Sequence, residues 1–276
     1  MFKKQEMLNE LYTFSEPVQV VPFSNQKWGK FTLLHTITNK DKLVFPENQY
    51  LCITMATSRT YHSLHLDIST SLSERICYII LPERLKEQEL PWLDSMAETH
   101  NANFVVISGV NWEEGLTPWK APGLKGEEFA GRARDFLDML KTDLFFNLES
   151  SLRIAKPTRS MVGVSLSGLF AVWASLNLPL FSAVGSVSGS LWYDGFLEWM
   201  KEHTDTVTER YYFSLGDKEK DGKNKRLASV EEATLEAVDL LKSVGKDVFF
   251  EYNEGNHFGP LIERIEKATK HVYING

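Results

Sequence analysis

Residues 161–178 read MVGVSLSGLFAVWASLNL, a short apolar strand pattern that runs directly into an apolar helix pattern. The turn between them is Gly163-Val164-Ser165-Leu166-Ser167-Gly168. A serine on such a turn adopts strained backbone, so the residues two positions either side must be small. Gly163 meets the first demand, and Ser167 meets the second with a short side chain in place of none. Gly168 and Ala171 let the helix lie close to the sheet. A turn of this kind exposes the Ser165 hydroxyl. It also aims the Leu166 amide at a developing oxyanion, with the positive potential of the helix N-terminus behind it. The pattern G-x-S-x-S recurs by chance, and its weight comes from the strand before it and the helix after it.

The rest of the chain supplies matching neighbours. ERICYIILPE, NFVVISGVN, MVGVSL, SAVGSVSGS, RYYFSLGD and DVFFEYNEG are near-continuous apolar runs, the mark of strands buried on both faces. Upstream, KWGKFTLLHTITN and YLCITMATSRTYHSLHLD alternate apolar with polar residues, as half-solvated antiparallel strands do. Helical periodicity falls between the runs. In GEEFAGRARDFLDMLKTDLFFNLE the residues Phe129, Ala133, Phe136, Leu137, Leu140 and Leu144 form one stripe. In SVEEATLEAVDLLKSVGKD, Thr234, Val238, Leu241 and Val244 share a side, and Gly245 stands where a helix cap favours glycine. Apolar strands alternating with amphipathic helices predict a three-layer α/β sandwich with a mostly parallel sheet and antiparallel strands at its N-terminal edge. This is the α/β-hydrolase layout, a pattern that other doubly wound folds share. No repeat, low-complexity tract or linker marks a boundary, so 1–276 is expected to form a single domain.

In an α/β-hydrolase the nucleophile is followed along the chain by an acid and then a histidine. His257, in YNEGNHFGP, lies just past the last strand pattern and is flanked by Gly255 and Gly259, a loop able to swing an imidazole over Ser165. His35, His62 and His65 precede the serine, His100 and His203 sit in polar helix ends, and His271 is expected on a solvated helix face. The acid should follow RYYFSLG, where Asp217, Glu219 and Asp221 stand in one loop. One of these should bind imidazole Nδ1 and fix its tautomer. Glu219 is the first choice and Asp217 the second.

With these residues in place, the chain resembles the esterase family that includes the siderophore esterases, which hydrolyse enterobactin-type trilactones. The likeness rests on GVSLSGLFAVW, SAVGSVSGSLWYDGFLEWM, YYFSLGDKEKDGKN, YNEGNHF and LTPWKAPGLKGEEFAGRARDFLDML, roughly the C-terminal three quarters of the chain. It implies that Ser165, His257 and Glu219 occupy the triad positions and that Ser188, Ser190 and Trp192 line the substrate pocket. Three departures stand out. Ser167 replaces a more usual glycine, and Trp112 stands near where many relatives carry an arginine. Leu81-Pro82-Glu83-Arg84 replaces a glycine-rich oxyanion loop, so Glu83 or Arg84 is expected to offer the second oxyanion amide. Trp112, Trp119, Phe129, Trp192, Tyr193 and Phe258 are candidates for an aromatic wall, with core packing as the competing use.

The expected activity is cleavage of small carboxylic esters through an acyl-enzyme, with no metal and no cofactor. An acyltransferase built on the same triad and a non-catalytic binding protein of this fold are the rival readings. A net charge of −7 and the lack of a basic cluster argue against a nucleic-acid surface. The start MFKKQEMLNELYTFSEP has no apolar run after its basic residues, and no stretch is long and apolar enough for a bilayer. A cytoplasmic setting is therefore expected, with no membrane partner. Cys52 and Cys77 lie in apolar runs and are expected to be buried free thiols. No oligomeric state is implied.

Overall fold

The structure is a computed structural model that describes residues 20–22, 43–45, 56–124 and 126–273. The chain forms two compact units, 1–53 and 54–276. In the first, Val20–Pro22 pairs in parallel with Leu43–Phe45. The run KWGKFTLLHTITN and Cys52 lie outside the described residues.

The second unit is built on an eight-stranded sheet. Its strands are β1 (Thr57–Tyr61), β2 (Leu64–Ser69), β3 (Arg75–Ile80), β4 (Asn103–Ser108), β5 (Thr158–Val164), β6 (Phe181–Val187), β7 (Arg210–Gly216) and β8 (Asp247–Asn253). Their spatial order is β8-β7-β6-β5-β3-β4-β2-β1. Pairing is parallel from β8 to β4, while β2 runs antiparallel to both β4 and β1. The antiparallel hairpin thus closes the N-terminal edge, as the alternating pattern of 56–67 required. This is a three-layer α/β-hydrolase sheet.

Burial on both faces explains the continuous apolar runs of β3 to β7; DVFFEYNEG departs from that expectation, because β8 is the edge strand and leaves Phe249 and Tyr252 exposed. Along β3, Ile76, Tyr78 and Ile80 enter one core while Cys77 and Ile79 enter the other. Successive side chains of a strand point to opposite faces, so neither face can be polar here. Helices α1 (Leu90–His100) and α7 (Leu261–Tyr273) cover one face, through Leu93, Met96 and Ala97 and through Ile265, Ala268 and Val272. The other face carries α2 (Ala133–Met139), α3 (Phe146–Ser151), α4 (Leu166–Asn177), α5 (Phe196–Lys201) and α6 (Val230–Ser243). Cys77 is buried as a free thiol, and burial pushes it up to about 12, leaving it an inert packing group.

Two helix expectations need correction. Phe129 does not begin the stripe of α2: it pairs with Ala121 in a two-residue antiparallel ladder, and the chain turns at Gly131 before Ala133 starts the helix. Between α2 and α3 the backbone widens into a π-helical turn, Leu140–Phe145. The turn carries Asp143, which accepts from Tyr61 and pairs with His62 Nε2 at 3.0 Å, tying the β1–β2 hairpin down. On α6, Val244 falls past the last turn and is exposed, whereas Val230, Ala233 and Ala237 complete the buried face. Gly245 adopts φ +83°, the left-handed conformation foreseen for a cap.

Candidate active site

The carboxyl ends of β5, β7 and β8 carry one residue each to a common point, the edge where ligands bind in open α/β sheets. Ser165 follows β5 directly and holds φ 56° and ψ −122°, a conformation that costs free energy for any residue bearing a Cβ. The strain is held in place by hydrogen bonds. Ser165 N donates to Val187 O at 3.0 Å, and Ser165 O accepts from Leu169 N at 3.1 Å and from Ser190 N at 3.0 Å. Glycine is obligatory at 163, because a Cβ there would stand 2.0 Å from Ser167 O.

Ser167 does more than fit the turn. Its hydroxyl is fully buried, accepts from Val164 N at 2.8 Å, and lies 2.8 Å from Ile80 O and 2.9 Å from Val164 O. It bridges β5 and β3 where the two strands part, a function that glycine could not perform.

His257 stands between the other two. Its Nε2 lies 3.1 Å from Ser165 Oγ and its Nδ1 lies 2.8 Å from Glu219 Oε2. Of the three loop carboxylates, only Glu219 is buried. Its Oε1 accepts from Ser188 Oγ and from Gly216 N, both at 2.6 Å. Asp217 points elsewhere: its Oδ1 accepts from Gly255 N at 2.9 Å and braces the histidine loop. Burial pushes Glu219 up, but the hydrogen bonds from His257, Ser188 and the Gly216 amide outweigh it and hold the carboxyl below its ordinary range.

A lowered carboxyl couples folding to pH in a definite direction. The stabilisation is present above the unfolded carboxylate range, near pH ~4.3, and is lost as pH falls through the lower folded value. Melting temperatures taken from pH 6 down to pH 3 should therefore fall more steeply for the wild type than for Glu219→Gln. Parallel curves would mean that the carboxylate contributes nothing of this kind.

The pocket residues divide. Ser190 Oγ stands 3.4 Å from Ser165 Oγ. Trp192 is half-buried, with the Arg226 guanidinium 5.0 Å from its ring centroid. Ser188, at φ 47°, is buried and its hydroxyl is given to Glu219 Oε1. Phe129 and Tyr193, offered as wall residues, are core instead, with ring centroids 5.4 Å apart. Trp112 packs between the two cores, and Trp119 donates Nε1–H to Asp194 O at 2.9 Å. Phe258 alone of the six is almost fully exposed, beside His257. His271 is partly exposed, and its ring stacks 3.9 Å from the exposed Phe249. Leu166, whose amide begins α4, is buried. In the loop after β3, Leu81 N is spent on Ile107 O at 2.9 Å.

Arg264 went unremarked in the sequence. It is buried in the first turn of α7, and Nη2 donates to Glu254 O at 2.9 Å and to Asn256 O at 3.0 Å. The one signal was a cation at the start of a helix, where the dipole disfavours it.

Fold and site geometry define an α/β-hydrolase. The chain matches the family described as "Putative esterase" over residues 87–256, and it belongs to that family. It is 28% identical over 146 residues to the uncharacterized protein YbbA of Bacillus subtilis (strain 168), covering 49% of this chain and 58% of that protein. The match thus spans less than two thirds of the relative's length. Among solved structures, an IroE-like serine hydrolase from Shewanella oneidensis superposes with a TM-score of 0.66 at 18% identity, covering 80% of each chain. The siderophore hydrolase EstB from Aspergillus nidulans gives 0.57 at 18% identity, covering 81% of this chain and 95% of the other. At such identities the two structures speak for the fold.

Proposed function

We propose that the chain is a serine hydrolase that cleaves carboxylic esters through an acyl-enzyme, with Ser165 as nucleophile, His257 as general base and Glu219 as the acid that orients it. The observation that carries this reading is the single imidazole within hydrogen-bond reach of both a strained serine and a buried carboxylate. His257 takes the Ser165 proton as Oγ attacks the ester carbonyl, then returns it to the leaving alcohol. Water repeats the sequence on the acyl-enzyme. The Leu166 amide, at the N-terminus of α4, receives the oxyanion. Leu81 N is already bonded and Pro82 has no N–H, so Glu83 and Arg84 are the first amides of their loop open to the second position.

Ser190, whose Oγ stands 3.4 Å from that of Ser165, and the half-buried Trp192 are proposed to contact substrate. The esterase family and the siderophore hydrolase among the structural relatives favour a small-molecule ester, siderophore-type esters included. One hydrolase domain over 1–276 and a cytoplasmic setting belong to the same proposal. Among the described residues no helix is long and apolar enough to cross a membrane. A fluorophosphonate probe tests the central claim: it should label Ser165, as read by peptide mass mapping, and excess substrate should protect it. An unlabelled Ser165 in folded protein would favour a binding protein that keeps the fold without the reaction.

A further inference from the structure

We propose that Arg264 is a positioning residue of this site, clasping the loop that carries His257 and holding imidazole and acid in register. The inference rests on the triad reading above. The geometry comes first. Nη2 reaches the carbonyls of Glu254 and Asn256, which flank the turn leading into His257, at 2.9 and 3.0 Å. Nη1 donates to Ser188 Oγ at 3.3 Å and stands 3.8 Å from Glu219 Oε1. One planar cation therefore touches the histidine loop, the acid, and the serine that also holds the acid. Guanidinium suits the task, since it presents several donors in one fixed plane.

The placement is costly enough to need a reason. The side chain is buried, and it sits at the end of α7 whose positive potential opposes a cation. A lysine or an apolar residue would serve packing, but neither could bond two carbonyls and lie beside the carboxylate at once. The surroundings are shaped to this head group. A Cβ at Gly259 would stand 2.1 Å from Nη2 and 2.5 Å from Cζ, so glycine leaves the space the guanidinium fills. The loop has no strand pairing of its own past Asn253: Asp217 and Lys218 fix Gly255, Phe258 N and Gly259 N turn back on Asn256 at 3.0 and 3.2 Å, and the bond from Arg264 to Asn256 O ties that turn to α7.

Two variants test the proposal by different routes. Arg264→Met removes the donors and the charge, whereas Gly259→Ala keeps the arginine and displaces its head. Each should lower kcat for a p-nitrophenyl ester by roughly 10²-fold, the scale of a 1 Å misplacement, with KM little changed. The low-field proton resonance of the imidazole–carboxylate pair should broaden in both. Arg264→Lys, which restores charge and part of the donor set, should recover part of kcat. Folded variants with wild-type kcat and an unchanged resonance would overturn the proposal. If Arg264→Met does not fold, Gly259→Ala and Arg264→Lys decide it by the same measurements. Fluorophosphonate labelling of the wild type keeps the two claims separate: failure there removes the triad reading, while labelling with unaffected variants removes only the role of Arg264.

Discussion

Ser165→Ala is expected to lower kcat for a p-nitrophenyl ester by roughly 10³-fold or more, on the scale of triad knockouts. On the proposed mechanism the variant loses the nucleophile and therefore the acyl-enzyme. The surroundings should survive, because the backbone bonds that hold position 165 to Val187, Leu169 and Ser190 do not involve the hydroxyl. Stability should change little, since alanine at φ 56° carries the same Cβ penalty as serine. Residual turnover would come from the oxyanion amides acting on bound substrate. Steady-state rates alongside a thermal melt check both halves. Near-normal turnover in a folded variant would remove Ser165 from the reaction.

Glu219→Gln is also expected to cost heavily, about 10⁴-fold in kcat by analogy with the acid-to-amide change in a serine protease triad. The loss follows from the donors and acceptors around the carboxyl. In the wild type Oε1 serves Ser188 and Gly216 N, and Oε2 receives Nδ1–H of His257. A glutamine keeps its oxygen on the two donors and presents its amide N–H to the imidazole. Nδ1 must then accept, so the ring proton moves to Nε2, the atom 3.1 Å from Ser165 Oγ. That nitrogen can no longer take the serine proton. The geometry is preserved and the base is in the wrong tautomer. Asp217→Asn and Asp221→Asn should stay close to wild type, because both side chains are exposed and neither meets the imidazole. A full loss in Asp217→Asn with activity kept in Glu219→Gln would reverse the assignment.

Much of this was readable along the chain. Strands buried on two faces are apolar at most positions, with only small or hydrogen-bonded polar residues between, so β3 to β7 read as runs, and β1 and β2 as alternation. The turn after β5 had to be small at 163 and was. Each of these is a local demand, met by residues within a few positions of one another. The same locality caused the errors. Phe129 fits the helical stripe by spacing alone, and only the turn at Gly131 separates it from α2. Tyr193 and Phe129 look like pocket aromatics until the packing of the 119–131 and 188–195 segments buries them together.

What the chain settled by itself is the fold class and the short list of candidate side chains, because binary patterning and turn sterics act over a few residues. Tertiary structure alone buried Glu219 against His257 while leaving its two neighbours exposed, set Ser188 on its carboxylate, and brought Arg264 beneath the histidine loop. Ser165 and His257 are 92 residues apart, and their meeting depends on strand order and loop closure. No local pattern encodes a contact that exists only when distant strand ends converge. Burial, the property that separates Glu219 from Asp217 and Asp221, is a product of that convergence.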